Sequence, residues 1–132
     1  YQRWDYVVAD TGRANELMEA LRRMLPALRG TNPAGGVIET ADDFHYRDPV
    51  DGSESAHQGV RLVFGNGTRI VYRLSGTGTA GATLRVYLER HVTSPEEIAW
   101  SASAALTPLG QLAAQIARIS HHTGLDRPSG MI

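Results

Sequence analysis

The stretch Val60-Arg61-Leu62-Val63-Phe64-Gly65-Asn66-Gly67-Thr68-Arg69-Ile70-Val71-Tyr72-Arg73-Leu74 decides the fold class. Val60 to Phe64 reads as one strand and Thr68 to Leu74 as its returning partner. Between them, Gly65-Asn66-Gly67 supplies residues that accept the positive φ of a tight hairpin turn. Ile70, Tyr72 and Leu74 alternate with Arg69, Val71 and Arg73, the period of a half-buried strand. Thr83 to Glu89 repeats that alternation, with Leu84, Val86 and Leu88 on one side and Thr83, Arg85, Tyr87 and Glu89 on the other. Upstream, Val37 to Tyr46 reads as a strand or ribbon anchored by Ile38, Phe44 and Tyr46. The segment Asp48-Pro49-Val50-Asp51-Gly52-Ser53 that follows it is dense in turn residues.

Helices flank this run of strands. Tyr1 to Ala9 reads as a short strand, and Asp10 or Thr11 can cap a helix after it. Leu17, Leu21, Leu25 and Leu28, with Met18 and Met24 beside them as core filler, form an apolar stripe at helical spacing. Pro26 predicts that this helix stops near Leu25. Ser94-Pro95-Glu96-Glu97 has the form of a capping box. The apolar face beyond it runs from Ile98 to Ile119, Pro108 is expected to kink or divide that helix near Thr107, and Gly124 and Pro128 are natural stops. The order predicts an α+β fold, a mostly antiparallel sheet with helices packed on one face. No internal repeat or linker divides residues 1–132, which read as one domain.

Composition narrows the possible functions. The formal net charge is −1, with 13 Lys+Arg against 14 Asp+Glu, so no broad basic surface is implied and nucleic acid is a poor partner. All the basic residues are arginine, a bias compatible with oxyanion binding. With no cysteine, disulfides, thiolate metal sites and a cysteine nucleophile are excluded. No apolar run approaches the roughly 20 residues that cross a bilayer, and no signal peptide opens the chain. The chain begins Tyr1-Gln2-Arg3-Trp4 without an initiator Met, which suggests a piece of something longer.

Arg73-Leu74-Ser75-Gly76-Thr77-Gly78-Thr79-Ala80-Gly81 is the candidate functional loop. Gly76, Gly78 and Gly81 spell G-x-G-x-x-G, but a dinucleotide site needs a helix next, and here a strand follows. A kinase glycine-rich loop does lie between strands, yet it wants Val where Thr83 stands, and the chain lacks V-A-I-K, H-R-D and D-F-G. What remains is anion binding by freed backbone N–H groups, by the hydroxyls of Ser75, Thr77 and Thr79, and by Arg73 and Arg85 on either side of the loop. On paired strands both guanidinium groups could reach one phosphate, each fork matching its oxygens. A Gly-rich hairpin connection with solvent-facing arginines fits the same spacing.

The run from Arg69 to Leu88 strongly resembles the C-terminal domain of the α-phosphoglucomutases, in the α-D-phosphohexomutase superfamily. Asp42-Asp43-Phe44-His45-Tyr46, Asp48 to Ser53, Gln58 to Phe64 and Thr123-Gly124 fall in the order of that family, so the resemblance covers essentially the whole chain. It implies a TATA-binding-protein-like α+β fold and the last of four domains. It also implies that Arg73, Ser75, Gly76 and Thr77, with Thr79 and Arg85, hold the substrate phosphate that is not being transferred. Thr79 stands where familiar relatives have Ser, which keeps the hydroxyl. Gly76 favours the phosphoglucomutase branch over phosphomannomutases and phosphoglucosamine mutases, where Asn is commoner at that position.

The whole enzyme would interconvert glucose 1-phosphate and glucose 6-phosphate through glucose 1,6-bisphosphate in the cytoplasm. The resemblance implies that its phosphoserine, its Mg2+-binding aspartates and its sugar-discriminating loop lie in the other three domains. This chain alone is therefore expected to be inactive, with no catalytic residue, cofactor or metal of its own. Its expected partners are the phosphosugar and those domains, with no nucleic acid and no membrane. A phosphomannomutase-type domain and a stand-alone anion-binding module are the alternatives.

The other polar residues read as structural. Adjacent His121 and His122 on a helix point about 100° apart, a poor arrangement for chelating one ion. Asp48 and Asp51 read as turn formers, and Asp42-Asp43 as an acidic strand start.

Overall fold

A computed structural model describes residues 2–33, 36–47, 54–65, 67–78, 81–89 and 102–131, with side chains left out at 44–47, 54–58, 75–78 and 102–107. The strands are β1 (Gln2–Val8), β2 (Ile38–Arg47), β3 (Glu54–Phe64), β4 (Arg69–Gly78), β5 (Gly81–Glu89) and β6 (Gly130–Met131). The helices are α1 (Thr11–Leu28), α2 (Ala102–Ala117) and α3 (Ile119–Thr123). The strands form one six-stranded sheet in the order β2-β3-β4-β5-β1-β6, every neighbouring pair antiparallel. The expected α+β architecture is present.

Alternation sorts the side chains. Trp4, Tyr6, Val8, Val60, Leu62, Ile70, Tyr72, Leu84, Val86 and Leu88 are buried beneath the helices. Ala14, Leu17, Met18, Leu21 and Leu25 of α1 meet them, as do Ala113 and Ala117 of α2. Arg3, Asp5, Arg61, Val71, Arg73, Arg85 and Tyr87 carry the opposite parity and form the sheet's second face. The sheet is thus a wall with an apolar side and an arginine-rich side.

Several boundaries differ from the sequence expectation. α1 continues past Pro26 to Leu28, because Pro26 lies in the last turn and the Arg29 N–H still donates to the Leu25 carbonyl at 3.2 Å. α2 likewise runs through Pro108 to Ala117. The missing N–H removes one ladder bond, while Leu109, Leu112 and Ile116 keep the later turns against the core. The break comes instead at Arg118, whose left-handed φ of 53° separates α2 from α3. β3 starts at Glu54, ahead of the predicted Val60. Asp42 and Asp43 stand within β2 and not at its start. The predicted turn at 48–53 and the capping box at 94–97 lie outside the described residues.

Asp10 caps α1 as expected, its Oδ1 accepting from the N–H groups of Gly12 at 2.9 Å and Arg13 at 3.3 Å. Gly124 closes α3 with φ 74°, its N–H donating to the Ser120 carbonyl. The outer strand β2 is covered by the chain leaving α1. The Ile38 N–H donates to the Thr31 carbonyl at 2.9 Å, the Gly30 N–H donates to the Ile38 carbonyl at 2.8 Å, and Arg29 Nη2 donates to the Ala41 carbonyl at 3.1 Å.

Candidate functional site

The candidate loop is shorter than its sequence suggests. β4 continues to Gly78 and β5 begins at Gly81, which pair with each other, so only residues 79–80 connect the strands. The register shifts between the Ser75–Thr83 pair and the Gly78–Gly81 pair, as at a β-bulge. Gly76 and Thr77 occupy that irregular stretch, and Thr79 lies outside the described residues.

Gly81 anchors the hairpin base. Its φ is +109°, and a Cβ there would lie 2.5 Å from the Val8 carbonyl oxygen and 3.1 Å from that of Ala9. Only glycine lets the hairpin press this closely on the β1–α1 turn. The loop therefore has a fixed position relative to the start of α1.

Arg73 and Arg85 are direct cross-strand partners on the second face. The row continues sideways, from Gly59 of β3 to Arg73, to Arg85, and on to Asp5 of β1. Two other arginines on this face, Arg61 and Arg3, are engaged by carboxylates. Arg61 donates to both oxygens of Asp42, from Nε at 3.0 Å and from Nη2 at 2.6 Å, and this bonding raises its pKa above the ordinary arginine value. Arg3 grips Asp5, with Nε 2.9 Å from Oδ1 and Nη2 donating to Oδ2 at 3.1 Å. Arg85 differs: among the described residues it has no hydrogen-bond or ion-pair partner, and its Nε is buried.

Such a row suits a multiply charged oxyanion. Opposed cross-strand side chains start about 5 Å apart at Cβ, within reach of one tetrahedral anion for two long guanidinium arms. The structure brings Arg73 and Arg85 together and places the backbone of Ser75, Gly76 and Thr77 immediately beyond them. Sequence reading passed over Arg3 and Asp5. Their i, i+2 spacing puts them on one face, but only the β1–β5 register reveals that Asp5 faces Arg85.

The paired histidines lie elsewhere. The rings of His121 and His122 meet edge to face with centroids 5.1 Å apart. Burial, with His121 adding to it, lowers the His122 pKa below the ordinary histidine value. Among the described residues no group of three or more His, Asp or Glu side chains gathers to hold a metal ion. Among the described residues no helix is long and apolar enough to cross a membrane.

Comparison with known proteins fits this architecture. The family model for the phosphoglucomutase-1 C-terminal domain matches residues 1–129. A phosphoglucomutase of Rhizobium radiobacter is 46% identical over 129 residues, covering 98% of this chain and 24% of that protein. Cytoplasmic phosphoglucomutase 1 of Zea mays is 41% identical over 136 residues, covering 98% of this chain and 23% of that protein. The crystal structure of the Paramecium exocytosis-sensitive phosphoprotein pp63/parafusin, a phosphoglucomutase in its open form, superposes with a TM-score of 0.79 at 38% identity. It covers 99% of this chain and 22% of that one. The chain thus spans about a quarter of the length of the relatives it matches. With its sheet, its glycine hairpin and nearly its whole length aligned, the chain belongs to the phosphoglucomutase family, as a member of the family's C-terminal domain.

Proposed function

We propose that this chain is the substrate-phosphate clamp of a cytoplasmic phosphoglucomutase that interconverts glucose 1-phosphate and glucose 6-phosphate through glucose 1,6-bisphosphate. The observation that carries this reading is the register-opposed pair Arg73 and Arg85 at the base of a Ser/Thr/Gly hairpin, with Arg85 lacking a partner among the described residues. In this reading Arg73 and Arg85 bind two edges of the phosphate that stays on the sugar. Ser75, Thr77 and Thr79 add hydroxyl donors, and the backbone N–H groups around Gly76 complete the cradle.

The clamp does no bond-breaking. It supplies binding energy remote from the reacting carbon, which orients the sugar and favours closure over it. The bisphosphate must present its two phosphates in turn, and a clamp that reads only phosphate accepts either orientation of the sugar. Mg2+ supplies electrostatic stabilisation of phosphoryl transfer in such enzymes. The reading assigns the metal, the phosphoserine and sugar discrimination to the remainder of the enzyme, with the phosphosugar and those domains as partners.

Kinetics of Arg73→Ala in the full-length enzyme test the proposal. Loss of a charge-assisted contact of about 1.5–3 kcal/mol should raise KM for glucose 1-phosphate by roughly 10- to 100-fold and lower turnover. Unchanged kinetics would remove Arg73 from the clamp. For the isolated chain, amide NMR during titration with glucose 1,6-bisphosphate should shift resonances from Ser75 to Gly81.

A further inference from the structure

We infer that Arg3 and Asp5 of β1 are a positioning pair for the clamp, in which Arg3 occupies the carboxylate that would otherwise capture Arg85. This deepens the proposed phosphate-clamp reading and rests on it.

The argument begins with an anomaly of charge. Asp5 stands directly opposite Arg85 in the β1–β5 register, so a carboxylate is the immediate neighbour of an arginine assigned to a phosphate. An opposed Asp–Arg pair on one sheet face is ordinarily attractive, and nothing in the strand geometry separates these two. Yet Asp5 is ion-paired with Arg3, two residues away on the same strand, whose Nη2 donates to Oδ2 at 3.1 Å and whose Nε lies 2.9 Å from Oδ1. The pair is largely sheltered, with side-chain exposures of 23% for Arg3 and 18% for Asp5. Arg85 meanwhile has no partner among the described residues.

Electrostatics explains why this arrangement matters. A bare carboxylate one strand from Arg85 would compete for its guanidinium and would repel the incoming phosphate dianion, and sheltering strengthens both effects. Arg3 offsets the charge of that carboxylate by pairing with it. Asp5 in turn offsets the charge that Arg3 brings to this face.

The distinguishing test is a rescue. Dissociation constants for glucose 1-phosphate would be measured by calorimetric titration of the full-length protein, with circular dichroism melts of each variant. Arg3→Gln should weaken binding about tenfold, the order of one charge-assisted contact. Asp5→Asn alone should tighten it slightly, and Arg3→Gln with Asp5→Asn should return it close to the starting value. Arg3→Lys, which keeps the charge, should recover most of the loss and serves if Arg3→Gln fails to fold. A double variant as weak as Arg3→Gln, or an Arg3→Lys as weak as Arg3→Gln, overturns the inference. Arg85→Ala serves as the separate control. If it leaves binding unchanged, the clamp reading itself fails; if it weakens binding while no rescue occurs, only the positioning role fails.

Discussion

Arg73 of β4 and Arg85 of β5 face each other directly across an antiparallel ladder, a pairing of like charges in the middle of one sheet face. Opposed like charges destabilise a sheet, and cross-strand pairs of this kind are worth about 0.2–1 kcal/mol. The arrangement should therefore favour anion binding at the expense of the unliganded fold. Arg85→Gln is expected to leave the melting temperature of the free protein unchanged or slightly higher. The same substitution should abolish most of the stabilisation that phosphate confers by mass action. Thermal melts at low ionic strength, with and without phosphate, measure both effects.

Gly81 is the second point of leverage. Its positive φ and the 2.5 Å approach to the Val8 carbonyl leave no room for a methyl group. Gly81→Ala should cost about 1–3 kcal/mol in urea unfolding and should also lower phosphate affinity, because the hairpin must lift off the β1–α1 turn. A variant of unchanged stability would mean that the hairpin does not press on that turn.

Gly110 separates helix propensity from packing. A Cβ there would fall 2.3–2.5 Å from three ring carbons of Trp4. Gly to Ala within a helix gains about 1 kcal/mol from propensity, whereas overpacking costs about 1–3 kcal/mol. The ring is buried against the α2 backbone, so the clash should win and Gly110→Ala should be net destabilising by about 1–2 kcal/mol. Trp4→Phe in the same background should recover part of the loss, and a double-mutant cycle by chemical denaturation would show the coupling.

Tyr72 links the sheet to α2 through its hydroxyl, which donates to the Ala113 carbonyl at 2.6 Å. Tyr72→Phe should cost about 1 kcal/mol. Burial raises the Tyr72 pKa far above the ordinary value of 10.0, with the charge of Tyr6 adding to it. The neutral phenol is thus favoured in the folded state, and its contribution is fully present below pH 10.0. As pH rises beyond that value the unfolded chain ionises while the folded one does not, so stability falls by about 1.4 kcal/mol per pH unit for this one group. Urea midpoints across the alkaline range should decline less steeply in Tyr72→Phe.

Much of this fold is written in local pattern. The two-residue period around Tyr72 and Val86 announces strands, and the turn glycines at Gly65 and Gly67 announce their connection. Asp10 and Gly124 mark helix ends through hydrogen bonds made within a few residues. Pro26 does not stop α1 and Pro108 does not divide α2, because a proline costs one ladder bond and the packing of a whole apolar face outweighs it. The site divides in the same way. Arg73 and Arg85 flank one hairpin, so their proximity follows from a short connection. The Asp5–Arg85 pairing joins residues 80 positions apart in the chain and depends on β1 lying beside β5, which no local window contains. Gly110 was equally silent, since its role is defined by the indole it admits.

The covering of β2 by Arg29, Gly30 and Thr31 has a consequence for behaviour at high concentration. An outer strand with bare N–H and C=O groups is a template on which other chains can build ribbons and fibrils. Here the first turn of that template is already occupied, at Ile38 by the main chain of the preceding loop and at Ala41 by a guanidinium. An incoming strand would have to displace three hydrogen bonds and a charged side chain before it could register. Aggregation is thus opposed by the same residues that lead the chain out of its first helix.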